Sequence, residues 1–146
     1  MVPYIEKNYR VAPFKIVAGL DVTAGFLNFY LYKENPLFDA YIAMSPELAF
    51  DMEKHIPERL ATIKKNIYYY HSTADGDLKK IQKNSKSLDE LAKEVKNTTL
   101  NYKFDEFKGA SHYSLVLFSI PNALYQFFEV YQPISSNEFN DKIVKL

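Results

Sequence analysis

The amino-acid sequence predicts an α/β fold with a mainly parallel sheet flanked by helices. Short apolar runs alternate with longer segments of helical period, the pattern of βαβ units. The first two runs are almost continuously apolar, as strands covered on both faces are, and do not alternate with polar residues. The strands fall at residues 14–19, 40–45, 67–71 and 100–107.

Helices fill the intervals. Residues 23–34 offer Phe26, Leu27, Phe29, Tyr30 and Leu31 for burial, and stop before Asn35-Pro36. Ser45-Pro46-Glu47 reads as a cap with Pro at the first helical position, and residues 57–65 as a further short helix. Residues 78–95 place Ile81, Leu88, Leu91, Ala92 and Val95 near one stripe. The most apolar helix spans 114–131, where Pro121 is expected to kink or split it. Residues 133–146 carry no strand or core pattern and read as a tail toward further sequence. With no internal repeat or linker-like composition shift, residues 1–146 form a single domain.

Composition narrows the function classes. With 18 basic and 18 acidic side chains and no dense basic run, nothing calls for nucleic acid. No apolar run approaches the roughly 20 residues of a membrane span. Cys and Trp are absent while Tyr and Phe together number 23 of 146 residues, so aromatic burial and not disulfide bonding supplies cohesion. The opening "MVPYIEKNYR" is too polar for a signal peptide and reads as the end of a helix, so the chain is expected to begin inside a larger unit. His55, His71 and His112 lack ligand-like spacing, so no metal is expected, and no cofactor motif is present.

The chemistry concentrates in three loops. In "KIVAGLDVTAGFLNFYLY" an apolar strand enters a small-residue turn with Asp21 at its tip, framed by Gly19 and Thr23. A strained nucleophile-bearing turn demands small residues two before and two after the tip. Gly19 meets that demand, and β-branched Thr23 is expected to crowd it. The competing role for Asp21 is a helix N-cap. "HSTADGDLKK" sets Asp75 and Asp77 after a strand, around Gly76, and "FKGASHYSLV" sets His112 after the last strand. All three loops follow the carboxyl ends of strands, where open parallel sheets keep their working residues. Ser45 and Ser111 read as a cap and a loop neighbour of His112, not as nucleophiles.

On these residues the chain resembles the C-terminal half of an α/β-hydrolase of the esterase type, the group that includes enterobactin-esterase-like and esterase-D-like enzymes. The matching pieces are "VPYIEKNYRV", "FKIVAGLDVTAG", "NPLFDAYIAMSPEL" and "ASHYSLV", and the likeness covers residues 2–131. It implies a partial α/β-hydrolase fold, His112 as general base, Asp75 as the residue orienting it with Asp77 as the alternative, and the Val22 backbone N–H as one oxyanion donor. Members carry Gly-His-Ser-Leu-Gly-Gly at the turn, so here Asp21 stands for the serine, Thr23 for a glycine and Leu20 for the histidine.

Three functions follow as expectations. The first, ahead because two turn positions changed, is a domain degenerate at the nucleophile and without ordinary serine-esterase turnover, able to keep a cleft for a small molecule. The second is a hydrolase using Asp21 as nucleophile and His112 as base, as dehalogenase- or epoxide-hydrolase-like enzymes of this fold do. The third is a carboxylic-ester hydrolase using another serine. A half-sheet leaves its first strand unpaired, so a homodimer or pairing with an N-terminal half is expected at that edge.

Overall fold

The computed structural model describes residues 1–129 and 134–141. Helix α1 (Val2–Asn8) leads to β1 (Ile16–Leu20), α2 (Val22–Leu27) and a 3-10 turn (Asn28–Tyr32). Then follow β2 (Ala40–Met44), α3 (Met52–Thr62), β3 (Ile67–Gly76), α4 (Lys79–Lys93), β4 (Leu100–Ser111), α5 (Val116–Phe127) and α6 (Ser136–Phe139). The sheet runs β1-β2-β3-β4 and every pair is parallel.

All five residues of β2 are buried because both faces of the sheet are covered. Tyr41 and Ala43 join a core with Leu27, Ile56, Leu60, Tyr69 and Leu88 of the α2, α3 and α4 side. Ala40, Ile42 and Met44 join the other core with Tyr70, Leu115, Ala123 and Phe127 of the α5 side. Successive residues of a strand point to opposite faces, so the continuously apolar run is explained by this double cover. Two of the buried tyrosines have partnered hydroxyls: Tyr69 donates to Asn28 Oδ1 at 2.8 Å and Tyr70 to Asp105 Oδ2 at 2.8 Å.

The structure departs from the expected elements in places that matter for the site. The third and fourth strands overrun their expected ends to Gly76 and Ser111, with a register irregularity between Ala74 and Gly76. Ser45-Pro46 caps no helix: Ser45 has φ 43 and continues directly from β2. Helix α3 begins earlier, at Met52 after Asp51 with φ 58, because Met52, Ile56 and Leu60 at four-residue spacing all reach the core, and Pro57 lies inside it. Pro121 neither splits α5 nor ends it, since Leu115, Ser119, Ala123 and Phe127 are all buried on one stripe that holds the helix together. The expected long helix after β1 instead tightens into 3-10 geometry at Asn28, whose side-chain amide donates to Ala24 O at 2.9 Å.

His71 is fully buried, with Nε2 2.7 Å from the Tyr102 hydroxyl and its ring 4.5 Å from Phe104. Tyr102 in turn donates to Asp89 Oδ1 at 2.8 Å, so the His71 Nε2–H donates to Tyr102. Burial, reinforced by the Lys93 charge, lowers the His71 pKa to about 3. The unfolded chain binds a proton there near 6.5 while the native state does not, so stability falls as pH drops from 6.5 toward 3. Urea titrations across that range should show destabilisation starting well above the carboxylate range, and His71→Phe should remove that part of it. A second expectation concerns Gly25, where an added Cβ would meet Glu47 O at 2.0 Å, an impossible approach. Gly25→Ala should therefore cost about 2 kcal/mol or more in chemical denaturation.

Candidate active site

One residue makes the whole reversal between β1 and α2. Asp21 follows Leu20 and precedes Val22, with φ 59 and ψ −122. A non-glycine residue in that region is strained by roughly 1–3 kcal/mol and persists only where its surroundings over-determine it. The surroundings here do so. The Asp21 N–H donates to Met44 O at 3.0 Å, and its carbonyl accepts from Gly25 N–H at 2.9 Å and Glu47 N–H at 3.1 Å. A Cβ at Gly19 would lie 2.7 Å from the Thr23 carbonyl carbon, so strand and helix meet too closely for any side chain there.

Thr23 does not crowd the turn. Its hydroxyl donates to Leu20 O at 2.7 Å and accepts from Leu20 N–H at 3.0 Å, a strap across the turn on the open side of β1. Asp21 is not used as an N-cap either, because its carboxylate makes no capping hydrogen bond; it stands at the tip, 44% exposed.

His112 faces it from the end of β4. Its Nε2 lies 3.8 Å from Asp21 Oδ2, and its Nδ1 lies 2.7 Å from Asp77 Oδ1. The residue behind the imidazole is thus Asp77 and not Asp75. The overrun of β3 turns Asp77 inward, whereas Asp75 turns to the surface and accepts the Gly109 N–H at 2.9 Å on each oxygen. Gly76 permits the turn between them, since a Cβ there would lie 2.7 Å from Ala110 O.

Asp77 is fully supported. Its Oδ2 accepts from Ser45 Oγ at 2.7 Å, Thr73 Oγ1 at 2.7 Å and the Ala74 N–H at 2.8 Å. Burial works against its charge, but the hydrogen bonds from Ser45, Ala74, Thr73 and His112 outweigh burial and hold the carboxyl below its ordinary value. In the sequence Ser45 reads as a helix cap and Thr73 carries no signal, so neither is marked as a partner of Asp77. Their role depends on β2 and β3 being neighbours and on Ser45 adopting positive φ.

Neither Ser45 nor Ser111 is free to attack. Ser45 is buried against Asp77, and Ser111 Oγ is paired with Ser114 Oγ at 3.1 Å. Val22 opens α2, and the N–H of a first helical residue has no intrahelical acceptor. A cavity of about 120 Å³ opens beside Asp21, walled by Pro46, Leu48, Leu78 and Ile81 with Lys80 at its rim. His55 pairs with Glu58 at 3.0 Å on the surface. Among the described residues no cluster of His, Cys, Asp and Glu is placed to hold a metal, and no helix is long and apolar enough to cross a membrane.

The fold recurs in solved structures. An uncharacterised protein from Capnocytophaga ochracea superposes with TM-score 0.86 at 27% identity over 99% of this chain. The BES protein from Bacillus cereus gives 0.70 at 24% over 84%, and an IroE-like serine hydrolase from Shewanella oneidensis 0.65 at 20% over 90%. This chain spans 41%, 48% and 45% of their lengths, respectively. The four-stranded parallel sheet with flanking helices is therefore an α/β fold, consistent with a partial α/β-hydrolase-like fold. No family model and no curated protein matches the sequence.

The two acidic side chains should separate cleanly by mutation. Asp77→Asn removes an acceptor of four hydrogen bonds and should cost about 1–3 kcal/mol in urea unfolding. Asp75→Asn, at an exposed position, should stay within about 0.5 kcal/mol.

Proposed function

We propose that this chain is an α/β-hydrolase-fold domain that keeps the frame of an esterase site but is degenerate at the nucleophile, so that it does not turn over carboxylic esters as a serine enzyme does. The observation that carries this reading is the Asp21 carboxylate at the strained turn tip, 3.8 Å from His112 Nε2. In a serine enzyme the imidazole takes a proton from a hydroxyl at that tip. A carboxylate has no such proton to give. Were it to attack an ester carbonyl, the product would be a mixed anhydride, which reverts readily. No nearby hydroxyl replaces it, since Ser45, Thr23 and Ser111 are each committed to other partners. The likeness to an IroE-like serine hydrolase supports the frame, and the cavity beside Asp21 supports retained small-molecule binding.

One observation favours a second reading. The strained tip and the His112–Asp77 pair are both intact, which a site freed of function has no need to keep. A carboxylate is a competent nucleophile at saturated carbon. Asp21 would attack such a carbon, forming a C–O bond as the C–halogen or strained C–O bond breaks and its electron pair leaves. His112 Nε2 would then take a proton from water, and the hydroxide would cleave the resulting ester at its carbonyl carbon, returning the Asp21 carboxylate and an alcohol. The 3.8 Å separation exceeds a hydrogen bond, so the imidazole is not closed off by Asp21. The Val22 N–H would receive developing negative charge on the Asp21 carbonyl oxygen.

The test is aryl-ester hydrolysis by the longest natural form of the protein. The native sequence should give background rates. Asp21→Ser should give turnover that Asp21→Ser with His112→Ala lowers by roughly 10²-fold or more. Turnover by the native protein that survives Asp21→Asn would overturn the proposal. A mass increase on Asp21 after incubation with alkyl halides or epoxides would establish the second reading in its place.

A further inference from the structure

The cavity beside Asp21 is lined by charges of both signs, and they come from different parts of the fold. The Asp21 carbonyl accepts the Glu47 N–H at 3.1 Å, so these two acidic residues rise from adjoining backbone and line the cavity together. The other wall is the N-terminal half of α4, which contributes Lys80 and, four residues on and so on the same helix face, Asn84. Leu78 stands at the cap position of α4 and supplies no side-chain acceptor, so the positive end of that helix adds to the Lys80 charge.

None of these charged groups is closed off by a partner. Among the described residues neither Glu47 nor Lys80 forms an ion pair. The Asp21 carboxylate accepts no hydrogen bond there either, with His112 Nε2 3.8 Å from its Oδ2. Leu48, Leu78 and Ile81 make the rest of the lining largely apolar.

This lining selects its occupant. A ligand with only negative charge would be drawn to Lys80 but repelled by Asp21 and Glu47. One with only positive charge would meet Lys80 and the uncapped helix end. A neutral apolar ligand would strip water from charges of both signs and return nothing to them. A molecule that carries an ammonium and a carboxylate a short distance apart answers both walls. Size sets the remainder: an apolar cavity of about 150 Å³ holds a benzene ring, so one of about 120 Å³ takes a short branched side chain.

We propose that this cavity binds a small zwitterion, an α-amino acid with a short branched aliphatic side chain, holding its ammonium on Asp21 and Glu47 and its carboxylate on Lys80. The inference rests on the reading of the site as one that binds without turning over, in which Asp21 stays a fixed carboxylate. It also gives the residue at the turn tip a role that a hydroxyl could not fill, because serine there would offer an ammonium no charge. Asn84 serves the same head group as Lys80, its amide donating to the carboxylate from one turn further along α4.

The test is calorimetric titration of the longest natural form of the protein with three molecules of one shape: L-valine, L-valinamide, which lacks the carboxylate, and isovalerate, which lacks the ammonium. L-Valine should saturate the protein, and the other two should each bind at least about 10-fold more weakly, as loss of a hydrogen-bonded charge requires. Lys80→Met, at an exposed position, should weaken L-valine to the level of L-valinamide and leave L-valinamide unchanged. Asp21→Asn should weaken L-valine and leave isovalerate no weaker. Equal binding of L-valine and either analogue overturns the proposal, and so does an unchanged L-valine affinity in Lys80→Met. Failure of L-valine to saturate the protein overturns it as well. None of these results touches the degenerate-nucleophile reading, which stands or falls on ester turnover by Asp21→Ser and by the native protein.

Discussion

The structure depends on the close approach of β1 and α2, which leaves one residue to reverse the chain. Because a Cβ at Gly19 would press on the Thr23 carbonyl and one at Gly25 on the Glu47 carbonyl, the helix lies directly against both the strand and the loop after β2. That packing forces Asp21 into φ 59 and lifts its side chain clear of the sheet. The same contact lets the Asp21 carbonyl accept the Glu47 N–H, tying the end of β1 to the end of β2. The strain at one residue is thus held by hydrogen bonds drawn from three segments.

A second constraint acts at the far side of the site. Asp77 is buried, and a buried carboxylate persists only when its oxygens are occupied. Ser45, Thr73, the Ala74 N–H and His112 occupy them, and these come from β2, β3 and the end of β4. The imidazole is therefore oriented by a carboxylate that cannot rotate away. Its other nitrogen has one direction left, toward the turn tip. Asp21 therefore stands opposite an imidazole whose orientation is fixed from behind.

Much of this was legible in the sequence. The alternation of apolar runs and helical periods determined the α/β class and the mainly parallel sheet, and Gly19 two before Asp21 marked the turn, because close packing leaves no freedom in residue size there. The position of His112 after the last strand was legible for the same reason, since parallel sheets present their carboxyl ends together. Tertiary structure alone decided between Asp75 and Asp77, for the two differ only in which way a strand overrun turns them, and that depends on β3 pairing with β4 past Gly76. It alone revealed Ser45 and Thr73 as supports, because a hydroxyl becomes a carboxylate's partner only when neighbouring strands bring them together. It also decided that Pro121 would be carried within α5, where the buried stripe from Leu115 to Phe127 outweighs one lost backbone hydrogen bond. Local spacing governs what a segment can be; which long-range partners stabilise it is settled only when the sheet has formed.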